Sequence, residues 1–256
     1  MGASRDSHVR PAVPLGPGAS ARTIQCAEGA GITKLQQLWP DTRTRVRLAG
    51  VCWLLTLIYF VAQAVVQAAW TTPYSLLDNR VSDLGATACG HFGRTFICSP
   101  LHAVMNTAFV ATGVLLLLGL VLGLHTWPRR RLTMWGLAAL FVASIGTILV
   151  GLSPENVNVA VHLVGALNIP CGNLAMILLG LAIKETCPRV AMASVVLGGI
   201  GFVGLLGGPL LIVLAGHGGG LAERVALYPL IIWAIVLGAS FVRGRSEIGE
   251  IRPRPN

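Results

Sequence analysis

The sequence predicts an all-α fold: a polytopic membrane bundle of six transmembrane helices with both termini in the cytoplasm. Three observations predict it. Of the 256 residues, 54% are hydrophobic and only 11% charged, whereas about a quarter of a soluble domain is charged. Six apolar runs, about 47–69, 99–124, 132–152, 155–183, 190–215 and 222–242, each supply the roughly 20 helical residues that cross a hydrocarbon core. Finally, alternation of the spans puts Arg5, Arg10, Arg22, Lys34, Arg43, Arg45, Arg47, Arg129, Arg130, Arg131, Lys184, Arg189, Arg243, Arg245, Arg252 and Arg254 on one side, and only Arg80, Arg94 and Arg224 on the other. The basic side is cytoplasmic by the positive-inside rule. The same sorting explains the net charge of +9 as a topology signal, so no nucleic-acid partner is expected. The expected location is the cell membrane, with lipids as partners.

Residues 1–30 are rich in Gly, Pro, Ala, Ser and Arg without hydrophobic period, and read as a disordered cytoplasmic tail. Basic residues without an apolar core in the first 45 argue against a cleaved signal peptide. Over 31–45, Ile32, Leu35 and Leu38 recur at helical spacing beside Trp39, which predicts an interfacial helix. The six-span domain covers 46–243, and 244–256 form a second disordered tail. Two connections, His125–Arg131 and Lys184–Arg189, are short and basic, with Pro128 and Pro188 stopping helices. Ser99-Pro100 and Ser153-Pro154 read as N-caps with proline at the first helical position of the second and fourth spans.

Polar chemistry gathers at the opposite side. The stretch Tyr74–Gly85, YSLLDNRVSDLG, crowds Asp78, Asn79, Arg80, Ser82 and Asp83 between two spans. His102 and Asn106 open the second span, while Glu155, Asn158, His162, Ala166, Ile169 and Asn173 fall on one helical line in the fourth. Ionisable groups within a span usually face the bundle interior, so His162 is a functional candidate. Its alternative is a neutral imidazole bonded between helices. Asp83, His102 and His162 have the types needed for proton transfer near neutral pH. Asn79, Ser82, Asn106, Glu155 and Arg224 are the candidate ligand-binding groups. Asp83, His102 and His162, with Glu155, also carry metal-ligand atoms, but no HExxH-like spacing supports a metal site. No cofactor is expected.

Arg224, at the start of the sixth span, has two readings: a counter-ion for Asp83 or Glu155, or a clamp for a phosphate or carboxylate. These five groups, Asp83, His102, Glu155, His162 and Arg224, are expected to converge in one pocket. Pro170 breaks the fourth span and frees the Ala166 carbonyl, which needs a partner or a wet cavity. Gly204 and Gly208 form a GxxxG pair that predicts close helix packing, within the chain or in a homo-oligomer. Cys89 and Cys98 bound a short loop on the outward side and are expected to form a disulfide. No spacing of the six cysteines suits a structural zinc site.

The series Asn79-x-x-Ser82-Asp83-Leu84-Gly85, the Pro154-Glu155 turn before His162, and Gly220-Leu221-Ala222-Glu223-Arg224 with Trp233 resemble the prokaryotic membrane family catalogued as domain of unknown function 998. The similarity covers about residues 47–242 and implies a six-helix membrane bundle without an established activity. A more remote likeness in helix count and polar loop to eukaryotic six-span proteins of lipid handling is one of fold alone. Three functions compete. The first is an outward-facing lipid-handling protein, a hydrolase or transferase, against which the lack of a nucleophile motif weighs. The others are a small transporter using the broken fourth span, and a noncatalytic membrane interaction protein whose polar groups hold helices together.

Overall fold

The computed structural model describes residues 41–92 and 95–243. The expected tails 1–30 and 244–256, and the expected interfacial helix up to Pro40, lie outside the described residues. Asp41 caps the first helix by accepting from the Thr44 amide at 2.9 Å, and the chain continues from it without an interfacial break.

The first span is α1 (Thr42–Leu55) and α2 (Ile58–Ala68), interrupted at Thr56, whose hydroxyl donates 2.6 Å to the Trp53 carbonyl. A loop follows, with a 3-10 turn at Ser82–Gly85, and then the hairpin β1 (Gly90–Phe92) and β2 (Thr95–Ile97). Its antiparallel register sets Gly90 opposite Ile97. The flanking Cys89 and Cys98 are joined by a disulfide with their Cα atoms 4.2 Å apart. The remaining spans are α3 (His102–Gly123), α4 (Arg131–Leu152), α5 (Val159–Gly165) with α6 (Asn168–Ala182), α7 (Pro188–Ala215) and α8 (Gly219–Val242). All six spans are long and apolar enough to cross a membrane.

Consecutive spans pack on each other, and α8 returns to α1, so the ring closes in chain order. Short connections impose this antiparallel neighbour pattern. The interior has two layers. Toward the short basic turns, Trp53 stacks obliquely on Trp233 and Phe241 at 5.6 and 5.5 Å, with Leu116, Leu140, Met176 and Leu179 around them. Toward the loop end lie Tyr59, Met105, Phe109, Leu227 and Ile231, and the loop drives Val81 and Leu84, both fully buried, into this layer. Burying side chains of that size stabilises by about 1.5–3 kcal/mol each. The loop is therefore a plug in the bundle mouth.

Three local expectations are corrected. Ser99 does not cap the second span: its hydroxyl donates 2.7 Å to the Leu84 carbonyl, and α3 begins only at His102. Ser153 does not cap the fourth, because Pro154 accepts amides from Val157 and Asn158 and inserts an extra turn. The cap is Asn158, in extended backbone, accepting from the Val161 amide at 3.1 Å. In consequence Glu155 stands outside the helix that carries His162, and the line through Glu155, His162 and Asn173 is not one continuous helical stripe.

The break at Ala166–Leu167 needs no wet cavity, since the Ala166 carbonyl accepts from the Ile169 amide at 3.1 Å. Gly204 and Gly208 are used inside the chain: a Cβ at either would come 2.5 Å from the Ala226 amide nitrogen or 2.8 Å from the Ala222 Cβ on α8. In the turn Gly216–Gly220, Gly216 and Gly218 take left-handed backbone at φ 75° and 97°.

Candidate functional site

The loop folds on its own polar side chains first. Asn79 accepts from the Ser75 amide at 2.9 Å, and Asp78 accepts from the Ser75 hydroxyl at 2.9 Å, the local bonding that favours turns over helix. Asp78 also accepts from the Gly218 amide at 2.9 Å, which ties the loop to the α7–α8 turn and holds this carboxyl below its usual value.

Two adjacent residues at the start of α8 then grip the loop backbone from opposite sides. Glu223 accepts from the Val81 amide at 2.6 Å and the Ser82 amide at 3.4 Å. Arg224 donates through Nη1 to the carbonyls of Asn79, Gly220 and Leu76 at 2.6, 2.9 and 3.1 Å, and through Nη2 to the Tyr74 hydroxyl at 2.5 Å. Anion meets N–H and cation meets C=O, both charge-assisted and strong where buried. Close approach is possible because residue 220 is glycine, where a Cβ would stand 2.3 Å from the Asn79 carbonyl oxygen.

Behind this grip is an ion-pair cluster. Asp83 Oδ2 accepts the Arg80 amide at 2.8 Å, and its Oδ1 is 3.3 Å from Arg80 Nη2. The same Nη2 reaches both oxygens of Glu155, at 3.2 and 3.1 Å. Asp83 and Glu155 are 1% and 4% exposed. Burial, and then hydrogen bonding to the Asp83 side chain, push the Glu155 carboxyl up to about 8, with Arg80 pulling the other way. Asp83 Oδ1 is buried with Arg80 Nη2 as its ion-pair partner, and a proton on Glu155 would add a hydrogen bond between the two carboxyls.

Of the five groups expected to converge, Asp83 and Glu155 therefore meet, and Arg224 sits beside them on the loop backbone. Their counter-ion is Arg80, not Arg224, because Arg80 lies three residues before Asp83 on the same turn. The two histidines are turned to their own turns: His102 Nδ1 lies 3.0 Å from the Ser99 carbonyl and His162 Nδ1 2.9 Å from the Ser153 carbonyl. Asn106 donates 2.9 Å to the Gly85 carbonyl and ties α3 to the 3-10 turn. Among the described residues no hydroxyl or thiol side chain bonds a histidine, and no three His, Cys, Asp or Glu side chains group around a metal position. Sequence reasoning left Arg80 and Glu223 out of the candidate site. The i,i+3 spacing of Arg80 and Asp83, and the adjacency of Glu223 to Arg224, were the signals.

On the other side of the loop an open groove of about 760 Å³ runs between the loop, β2 and the α7–α8 turn. Asp78 and Arg80 form its charged lining, with His217, Thr72, Thr95, Phe96 and Ile212 beside them.

Residues 54–240 match the model of a family described as protein of unknown function, DUF998. No curated protein and no solved structure matches the chain.

Proposed function

This chain belongs to the DUF998 family, and from that premise we propose a noncatalytic, lipid-contacting role at the cell membrane, with both termini cytoplasmic and the loop end outward. The observation that carries this reading is that the charged groups of the cluster are engaged by the protein itself: Glu223 on amides, Arg224 on carbonyls, Arg80 on Asp83 and Glu155. A catalytic acid or base needs a reacting atom within hydrogen-bond reach. Here Asp83 accepts the Arg80 amide, and one ring nitrogen each of His102 and His162 lies on a backbone carbonyl. The polar end is a clasp that keeps the loop in the bundle mouth, and lipid meets the protein by binding rather than by chemistry. The locally satisfied break in the fourth span weighs against the transporter alternative.

Two measurements test this. Arg224→Ala leaves three backbone carbonyls without their charged donor and lowers stability by about 3 kcal/mol or more, whereas His102→Ala changes it by about 1 kcal/mol or less. Purified protein in vesicles of phosphatidylethanolamine and phosphatidylglycerol is expected to release neither fatty acid nor headgroup. Product formation that Asp83→Asn abolishes without loss of folding would overturn the noncatalytic reading.

A further inference from the structure

The groove beside the clasp has a feature that the clasp does not explain. Ile212, one of its walls, belongs to the last turns of α7, where Leu210, Val213 and Leu214 are 59%, 80% and 76% exposed. On a membrane-spanning helix such a face meets acyl chains. The groove is thus a polar hollow with a lipid-facing wall at the end of a span, where a phospholipid headgroup would stand if its chains ran along α7.

Its charges are of both signs. The Asp78 and Arg80 side chains are 41% and 38% exposed, and His217 Nδ1 lies 4.0 Å from Asp78. Resting on the outward orientation and lipid contact proposed above, we infer that this groove binds the zwitterionic headgroup of a phospholipid, phosphate toward Arg80 and amine toward Asp78. A purely anionic headgroup would bring no cation to the Asp78 carboxylate in the groove. A neutral one would use neither the exposed face of Arg80 nor that of Asp78. Asp78 has room for a further donor, since a carboxylate offers about four acceptor positions and here receives the Gly218 amide and the Ser75 hydroxyl.

The walls are fixed before any lipid arrives, which lowers the ordering cost of binding. Arg224 holds the carbonyl of Asn79, Asp78 holds the amide of Gly218, and the Cys89–Cys98 bridge closes the hairpin that carries Thr95 and Phe96.

The test is native mass spectrometry of the full chain in detergent, titrated with phosphatidylethanolamine, phosphatidylcholine and phosphatidylglycerol of matched acyl chains. Both zwitterionic lipids are expected to form a single retained adduct about fivefold more readily than phosphatidylglycerol, the ratio that about 1 kcal/mol from one partly exposed charge pair gives. Asp78→Asn keeps an oxygen for the Gly218 amide but loses the charge, and is expected to shrink the preference below about twofold. Thr95→Trp fills the groove from the hairpin side and is expected to remove the adduct without shifting the melting temperature by more than a few degrees; it also decides the matter if Asp78→Asn does not fold.

Soluble glycerophosphoethanolamine in tenfold excess is expected not to displace the lipid. Displacement would assign the groove to a free headgroup and overturn a lipid site. Adducts with equal or stronger phosphatidylglycerol binding, or a preference that survives Thr95→Trp, would overturn the inference while leaving lipid contact standing. Absence of any lipid adduct would overturn both.

Discussion

Glu155→Gln should make this protein more stable at neutral and alkaline pH, although it removes one partner of an ion pair. Glu155 is buried, faces Asp83, and has its carboxyl raised to about 8 from an ordinary 4.5. For an acid raised on folding, the unfolded chain ionises first as pH rises. The stability that the protonated group contributes is therefore complete below about pH 4.5 and is lost progressively up to about pH 8. At 1.36 kcal/mol per pH unit the loss is of the order of 3–5 kcal/mol. Glutamine copies the protonated form. Its amide oxygen remains for Arg80, and its N–H stands in for the proton through which the Glu155 carboxyl bonds the Asp83 side chain.

The wild-type protein in detergent, melted between pH 5 and pH 9 with tryptophan fluorescence as the readout, should lose melting temperature across pH 5–8. The variant should hold nearly flat. Taking about 3 kcal/mol at pH 8 and about 2–4 °C per kcal/mol for a chain of this size, the two curves separate by about 6–12 °C. At pH 5 they should nearly meet. A variant that melts below wild type at pH 8, or a wild-type curve flat from pH 5 to pH 8, would refute the shared proton.

Other outcomes follow from the same geometry. Gly220→Ala places a methyl 2.3 Å from the Asn79 carbonyl and 2.9 Å from Arg224 Nη1, so it should cost about 1–3 kcal/mol by overpacking and be seen as a lower melting temperature than that of Gly199→Ala, where a Cβ meets open space. For topology, a reporter fused after Phe241 should register cytoplasm and one inserted near Thr87 the exterior, and Cys89 and Cys98 should resist thiol labelling on intact cells until a reductant is added. Reversed reporters would place the loop end in the cytoplasm.

Much of the site was absent from the sequence reading for an identifiable reason. Asp83, Glu155 and Arg224 stood out because charge is rare in spans, and the structure puts them at one end of the bundle. His102 and His162 stood out for the same reason, yet each turns Nδ1 to the carbonyl of its own preceding turn, a local bond that hydropathy does not register. The Ser-Pro caps failed because a cap depends on where the chain leaves the helix axis: Asn158, five residues after Ser153, holds the capping backbone. The hairpin inside the disulfide, only three residues per strand, was too short to show a period.

What the sequence determined by itself is what the bilayer enforces residue by residue. Span length follows from hydrocarbon thickness, so the six helices were readable from apolar runs, whereas the ring they close was not. What only the tertiary structure decided is which charges meet. Arg80 reaches Glu155 across 75 positions and Val81 reaches Glu223 across 142. Those pairings depend on helix rotation and on the depth to which Val81 and Leu84 sink into the bundle mouth, which are set by packing between distant segments and leave no trace in the spacing of neighbours along the chain.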